Sequence, residues 1–236
     1  VINESGDPAG MGTAAHDGLR PLVHTGRVDW AGVPELARDH NDADEGELRQ
    51  LLALGAKLWN SPMPGDPDHL IRDAFPNALT EVPLRYEGPG YVLTGTLDIL
   101  ALRHVVAWLA DWKSGRLDTA YREQLLGYCA LVLFSYSALA EAVSGVLWIR
   151  DQDYEQHRMT RAQLAGWEQR FLDKVVNWDG VFRPGEHCGH CHRNHECAAA
   201  NALARRDVAA IADLPLDEAA LDALPEAQQI EIVVRA

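Results

Sequence analysis

GTLDILALRHVVAWLADWKSGRLDTAYREQLLGY, residues 95–128, reads as two apolar strands, a turn and a helix, with acidic residues where the apolar pattern breaks. Asp98 lies inside the first strand, in TLDIL, and Asp111-Trp112-Lys113 closes the second. A carboxylate within a core pattern is costly to bury unless something compensates it. Strand side chains alternate, so Asp111 and Lys113 point to one side while Trp112 points the other way, into packing. Gln124 and Tyr128 follow one helical turn apart, a spacing that places both on one face. Taken singly these features are weak: a strand-end Asp commonly forms a turn, and an i,i+4 polar pair is ordinary on a helix surface.

Working outward, Gly12 to Thr25 predicts a helix that starts near Thr13 and is disturbed by Pro21. Asp29 to Asn41 reads as irregular and acidic. Glu45 to Trp59 places Leu48, Leu51, Leu52, Ala56 and Trp59 at helical spacing, and residues 61–69, with three prolines, read as a loop. Leu79 to Tyr86 alternates, residues 87–90 turn, and Tyr91 to Leu102 returns as a hairpin partner. Val105 to Trp112 is a mostly apolar third strand, as expected of one buried on both faces. Thr119 to Ala142 predicts a long helix, Gly145 to Arg150 a fourth strand, and Met159 to Trp178 an amphipathic helix. Ala198 to Ala212 is helical in pattern. The order of the central elements is helix, three strands, helix, strand.

Composition narrows the class. The hydrophobic fraction of 47% and charged fraction of 24% are those of a globular protein. No apolar run is long enough to span a bilayer, since Ala130 to Leu139 is short and interrupted by Ser135 and Ser137. A cytoplasmic protein with no membrane partner is the expectation. The chain starts at Val1 with nothing like a signal peptide, which suggests residues upstream. The formal charge of −14 argues against a general basic coat for nucleic acid, but it is concentrated in Asp29–Glu47 and Asp207–Ala236, each with seven acids and one arginine. A bound divalent cation would reverse the field of any acidic site in the remainder.

Phosphodiester hydrolysis needs a positioned water, neutralised charge and help for the leaving oxygen. Hard cations held by carboxylates supply all three. Asp98 and Asp111 are the natural ligands, and Lys113 would orient the water or stabilise developing charge. In order along the chain, Gly12-x-x-x-His16, Gly95-x-x-Asp98, Asp111-x-Lys113 and Gln124-x-x-x-Tyr128 resemble the PD-(D/E)xK nuclease superfamily. More narrowly, they resemble its RecB-like family, which includes CRISPR-associated single-subunit exonucleases and phage relatives. The resemblance covers about residues 12–197 and rests on the joint order of the motifs.

That resemblance implies an α/β restriction-endonuclease-like core with added helices and a C-terminal Cys-rich knuckle. The core would occupy residues 1–182 with a helical insertion at about 29–70, followed by a cysteine-cluster region at 183–212 and an acidic tail at 213–236. His16, Asp98 and Asp111 would bind Mg2+ or Mn2+, helped by the Trp112 carbonyl, with Asp98, Asp111 and Lys113 catalytic. Gln124 and Tyr128 would hold the nucleic-acid strand. Asp111 stands where the family more often has Glu. Glu81 is a possible partner behind the ligands, or a solvent-facing strand residue. The implied activity is a Mg/Mn-dependent deoxyribonuclease, an exonuclease acting on single-stranded or end-containing duplex DNA in recombination, repair or phage DNA processing. A recombination or replication protein would be its partner. The alternative is a non-catalytic nucleic-acid or partner-binding module with a structural metal site.

Cys188-x2-Cys191-x5-Cys197 is a second signal, since clustered thiols near a Pro-Gly turn point to a metal site. In the resembled nucleases three such cysteines and one far upstream hold a 4Fe–4S cluster. Here no cysteine precedes Cys129, which reads as a small core residue. Either a cysteine upstream of Val1 or one of His187, His190, His192 and His195 completes the set, the latter as a Cys3His Zn2+ site.

Overall fold

The computed structural model describes residues 8–40, 43–115, 121–177, 179, 181, 197–199 and 201–202. Helix α1 spans Pro8–Thr25, α2 Val33–Asp39 and α3 Glu45–Trp59; a short hairpin, β1 (Pro62–Met63) and β2 (Asp66–Leu70), leads through a 3-10 turn at Ile71–Ala74 into the sheet. The sheet contains β3 (Leu79–Gly88), β4 (Tyr91–Arg103), β5 (Val106–Lys113), β6 (Glu141–Trp148) and β7 (Asp153–Thr160). Helix α4 (Arg122–Ser135) links β5 to β6, and α5 (Arg161–Val176) follows β7. The sheet order is β3-β4-β5-β6-β7, antiparallel except for the β5–β6 pair. A parallel pair needs a crossover, and α4 is that crossover. The expected α/β class and the order helix, three strands, helix, strand hold.

Each face of the sheet has its own helices. On one, Leu19 and Leu22 of α1 and Leu48, Leu51 and Leu52 of α3 pack with Ile99, Ala110, Trp112 and Leu147. Trp59 anchors this side, with ring centroids 5.6 Å from Trp112 and 5.2 Å from Phe75. Helices α1 and α3 approach closely because glycines meet leucines. A Cβ on Gly18 would lie 2.6 Å from Leu52, and one on Gly55 2.6 Å from Leu19. On the other face, Cys129, Ala130, Val132 and Leu133 of α4 and Leu164 and Trp167 of α5 cover Leu97, Leu100 and Leu109. Cys129 is fully buried, as its core reading requires, and burial pushes its thiol up to about 12.

Several boundaries differ from the sequence reading. Helix α1 begins before Gly12 and runs through Pro21, with the Thr25 hydroxyl donating to the Pro21 carbonyl at 2.8 Å. The acidic stretch after Asp29 contains α2, which buries Val33 and Ala37, and residues 61–69 form a hairpin rather than a loop. The predicted helix over 119–142 stops at Ser135. Glu141–Trp148 pairs along its whole length with β5 instead, because backbone pairing in a doubly covered strand outweighs the helical propensity of alanines. β7 was missed: Tyr154 and Met159 are its buried positions, and the residues between them are polar, as an edge strand allows. Helix α5 therefore starts at Arg161, where Gln163 Oε1 accepts from the Thr160 backbone N–H at 2.9 Å.

Arg161 closes the end of α4. Its guanidinium donates to the carbonyls of Leu133 (2.9 Å), Tyr136 (2.7 Å) and Leu139 (2.6 Å), satisfying groups that a helix C-terminus leaves without partners. The chain divides into two compact units, Val1–Asp173 and Lys174–Ala236. Within the second unit, the Asn201 amide donates to the Cys197 carbonyl at 2.9 Å. Cys188, Cys191, most of the helix expected at 198–212 and the acidic tail lie outside the described residues. Replacing Arg161 by Met should lower unfolding free energy by about 2–3 kcal/mol, because part-buried carbonyls lose a charged donor. Urea denaturation of the two proteins measures this.

Candidate active site

The site is built where two strands part. The β4–β5 ladder runs from Arg103–Val106 to Ile99–Ala110 and ends there, one step short of the facing pair Asp98 and Asp111. The Trp112 amide donates to Asp98 Oδ2 at 2.9 Å, so a side chain takes the next strand bond. The pleat slips at the same point. Leu97 packs on the α4 side, Ile99 on the α1 side and Leu100 on the α4 side again, so the alternation changes face across Asp98. Opposite Asp98 on β3, Glu81 has φ +52°, a conformation unusual for a non-glycine residue and often stored at functional sites.

Helix α1 is laid along this edge by residues four apart. His16 Nδ1 lies 3.2 Å from Asp98 Oδ2, Arg20 Nη2 lies 3.6 Å from Glu81 Oε1 and 2.7 Å from Asp17 Oδ1, and His24 Nε2 lies 3.0 Å from Thr80 Oγ1. Glu81 thus pairs with Arg20, which is the contact the strand position makes available to it.

Asp111 and Lys113 share one side of β5. Lys113 Nζ lies 2.7 Å from Asp111 Oδ2, so the ammonium meets that buried carboxylate oxygen directly. Trp112 faces away into the α3 packing, as the alternation predicts. On α4, the ring of Tyr128 sits over Gly95, where a Cβ would lie 3.2 Å from Tyr128 Cε1. Gln124 Nε2 donates to the Tyr128 hydroxyl at 2.8 Å. Gly95 is therefore the residue that lets the helix settle this close to β4.

The sequence reading missed two contributors. Tyr121 offers its ring face to Lys113, with Nζ 5.0 Å from the centroid. Its spacing to Gln124 and Tyr128, i, i+3, i+7, was a usable signal. Arg150 donates through Nε to the Ser114 carbonyl at 2.7 Å and pairs with Glu47, tying the end of β5 to α3. Nothing local in the sequence announces that contact. Cys197 is half-buried, and Cys188 and Cys191 lie outside the described residues.

The acids share one field. Burial, and then the charge of Asp111, raise Asp98 from 3.8 to about 6, against the opposing pull of His16, the Trp112 amide and Lys113. Burial works against the Lys113 ammonium, but the Asp111 carboxylate outweighs it and holds Lys113 above the ordinary lysine value. Burial raises the Tyr128 hydroxyl too; the Gln124 bond opposes this, and Asp111 adds to it. Among the described residues no three His, Cys, Asp or Glu side chains form a ready-made metal cage. Yet two carboxylates share this buried place, and Asp98 resists ionisation beside Asp111. Hard-oxygen donors in that state suit a divalent cation, which would relieve both. Because Asp98 binds its proton more tightly when folded, its contribution to stability is full below the unfolded pKa near 4 and is lost as pH rises through about 6. In EDTA, Asp98→Asn should therefore stabilise the protein at pH 7.5, on the order of 2 kcal/mol, and change little at pH 4. Thermal melts at the two pH values test the sign.

Comparison with known proteins gave one family. No curated protein matches the chain. Among solved structures, that of SSO0001 is similar at 12% identity over 85% of this chain and 89% of its own, with a TM-score of 0.36, too remote to carry an argument. The family model described as PD-(D/E)XK nuclease superfamily matches residues 2–198, most of the length. With its five-stranded mixed sheet flanked by helices, the chain belongs to the PD-(D/E)XK nuclease superfamily.

Proposed function

We propose that this protein is a Mg2+- or Mn2+-dependent DNA nuclease of the RecB-like kind, acting as an exonuclease at DNA ends in recombination, repair or phage DNA processing. The observation that carries the reading is the fork of β4 and β5, which sets Asp98 and Asp111 side by side with His16 and Lys113 against them. Superfamily membership supports nuclease chemistry, and its members typically use these two cations.

His16, Asp98, Asp111 and the Trp112 carbonyl are the residues that would hold the cation. When bound, it would supply a water more acidic than bulk water and positive charge for the phosphate. Lys113 keeps its proton, since Asp111 holds it in the ammonium form, and so remains a cation able to stabilise charge developing on a phosphate oxygen. Gln124 and Tyr128 would position the strand, the amide and hydroxyl being donors for phosphate oxygens beside a part-buried ring. Trp112 contributes through its backbone, held by Asp98, while its ring anchors β5.

Asp111→Asn and Lys113→Ala should each lower Mg2+- or Mn2+-dependent cleavage by roughly a thousandfold, with far-UV circular dichroism unchanged. Linear DNA should be degraded while covalently closed circles survive; cutting of circles would make the enzyme an endonuclease. Wild-type protein inert on single-stranded, duplex and nicked DNA with either ion would point instead to a non-catalytic binding module.

The cysteine region is proposed as a second, structural site, in which Cys188, Cys191 and Cys197 bind a 4Fe–4S cluster; their spacing supports a metal site, and the resemblance to nucleases that carry such a cluster supports its kind. Anaerobically purified full-length protein should contain iron and acid-labile sulfide and absorb in the visible. Zinc alone would replace the cluster by a Cys3His site.

A further inference from the structure

The wall of α4 that faces Lys113 carries a residue outside the family motifs. We propose that Tyr121 is a positioning residue for Lys113, holding the ammonium against Asp111 with the face of its ring. The proposal rests on the reading of Lys113 as the catalytic lysine. Lysine is a point charge on a flexible four-carbon stem, and one ion pair leaves that stem much of its freedom. Here the ammonium is held from two directions: Asp111 Oδ2 at 2.7 Å, and the Tyr121 ring with its centroid at 5.0 Å. A ring face attracts a cation within about 6 Å, and the more so where water is partly excluded. Lys113 is only 21% exposed.

The ring is itself fixed. It meets Trp148 edge to face, with centroids 5.4 Å apart and planes at 78°. Trp148 is 1% exposed and lies on β6 in register with Lys113 on β5. Lysine, tyrosine and tryptophan therefore form a chain that closes on two adjacent interior strands. Tyr121 occupies the position just before the first turn of α4, yet its side chain makes no capping bond to the helix. Its side chain is thus available for Lys113, and its spacing to Gln124 and Tyr128 puts all three along one stripe of the crossover helix. One rigid element then positions both the lysine and the strand-holding pair.

A purely structural role for the ring, filling space on Trp148, makes different predictions. The chain has three lysines, Lys57, Lys113 and Lys174, so acetylation by N-hydroxysuccinimide acetate can be followed at each by mass spectrometry, with exposed Lys57 as the internal reference. In full-length Tyr121→Leu, acetylation of Lys113 relative to Lys57 should rise about threefold or more, while Tyr121→Phe, which keeps the ring face, stays near the wild-type ratio. In DNA cleavage, Tyr121→Leu should lower kcat about tenfold with KM within about twofold, and Tyr121→Phe should restore kcat. Tyr121→Met, unbranched and bulky, replaces the leucine variant if that one fails to fold. Lys113 acetylation unchanged in both the Leu and Met variants overturns the proposal, as does a Phe variant that behaves like Leu. Wild-type protein that does not cleave DNA would defeat the nuclease reading, while the acetylation ratios would still decide whether Tyr121 holds Lys113.

Discussion

One hydrogen bond, from the Trp112 amide to the Asp98 carboxylate, replaces a rung of the sheet, and the site is arranged around it. Beyond Ile99–Ala110 the two central strands no longer pair backbone to backbone, so the acids at the next positions are not held in a ladder rung. The pleat slip across Asp98 and the positive φ of Glu81 belong to the same local departure from ideal sheet geometry. Such departures cost energy and persist only where surrounding packing holds them. Here the packing is Trp112 against Trp59 on one face and Tyr128 over Gly95 on the other.

Chain connectivity supplies the two walls. The parallel β5–β6 pair forces a crossover, and α4 as that crossover returns over the strand end that has just delivered Asp111 and Lys113. Gln124 and Tyr128 reach the site for this topological reason. Helix α1 reaches it from the other face, by a row of His16, Arg20 and His24 along β3 and β4. Arg161 secures the far end of α4, away from the catalytic candidates, by filling its carbonyls.

The electrostatics explain how an acidic chain can still suit a nuclease. Asp98 and Asp111 are in conflict: burial and the charge of Asp111 make Asp98 resist ionisation. The same conflict makes the pair a good host for a divalent cation. Most of the formal charge is written in the Asp29–Glu47 and Asp207–Ala236 stretches of the sequence, so net charge alone is a poor guide to what the site binds.

Much of this was readable in residue order. Alternation around Asp98, Asp111 and Lys113 correctly turned Trp112 into the core, and the spacing of Gln124 and Tyr128 put them together on one helix, because both rules depend only on local periodicity. The joint order of motifs gave the superfamily. β7, α2 and the early end of α4 were not legible, since a polar edge strand, a short acidic helix and a strand that follows an alanine-containing turn are decided by what they pack against. The same holds at the site. Sequence named His16 and Asp98, but their 3.2 Å approach depends on how α1 lies against the sheet. Spacing puts Tyr121 in the stripe of Gln124 and Tyr128, but its contact with Lys113, like that of Arg150 with Ser114, is made only in the fold. Local periodicity follows from covalent geometry and is written in the chain; the strand fork, the slipped pleat and the ring beside the lysine arise only when distant segments compete for the same space.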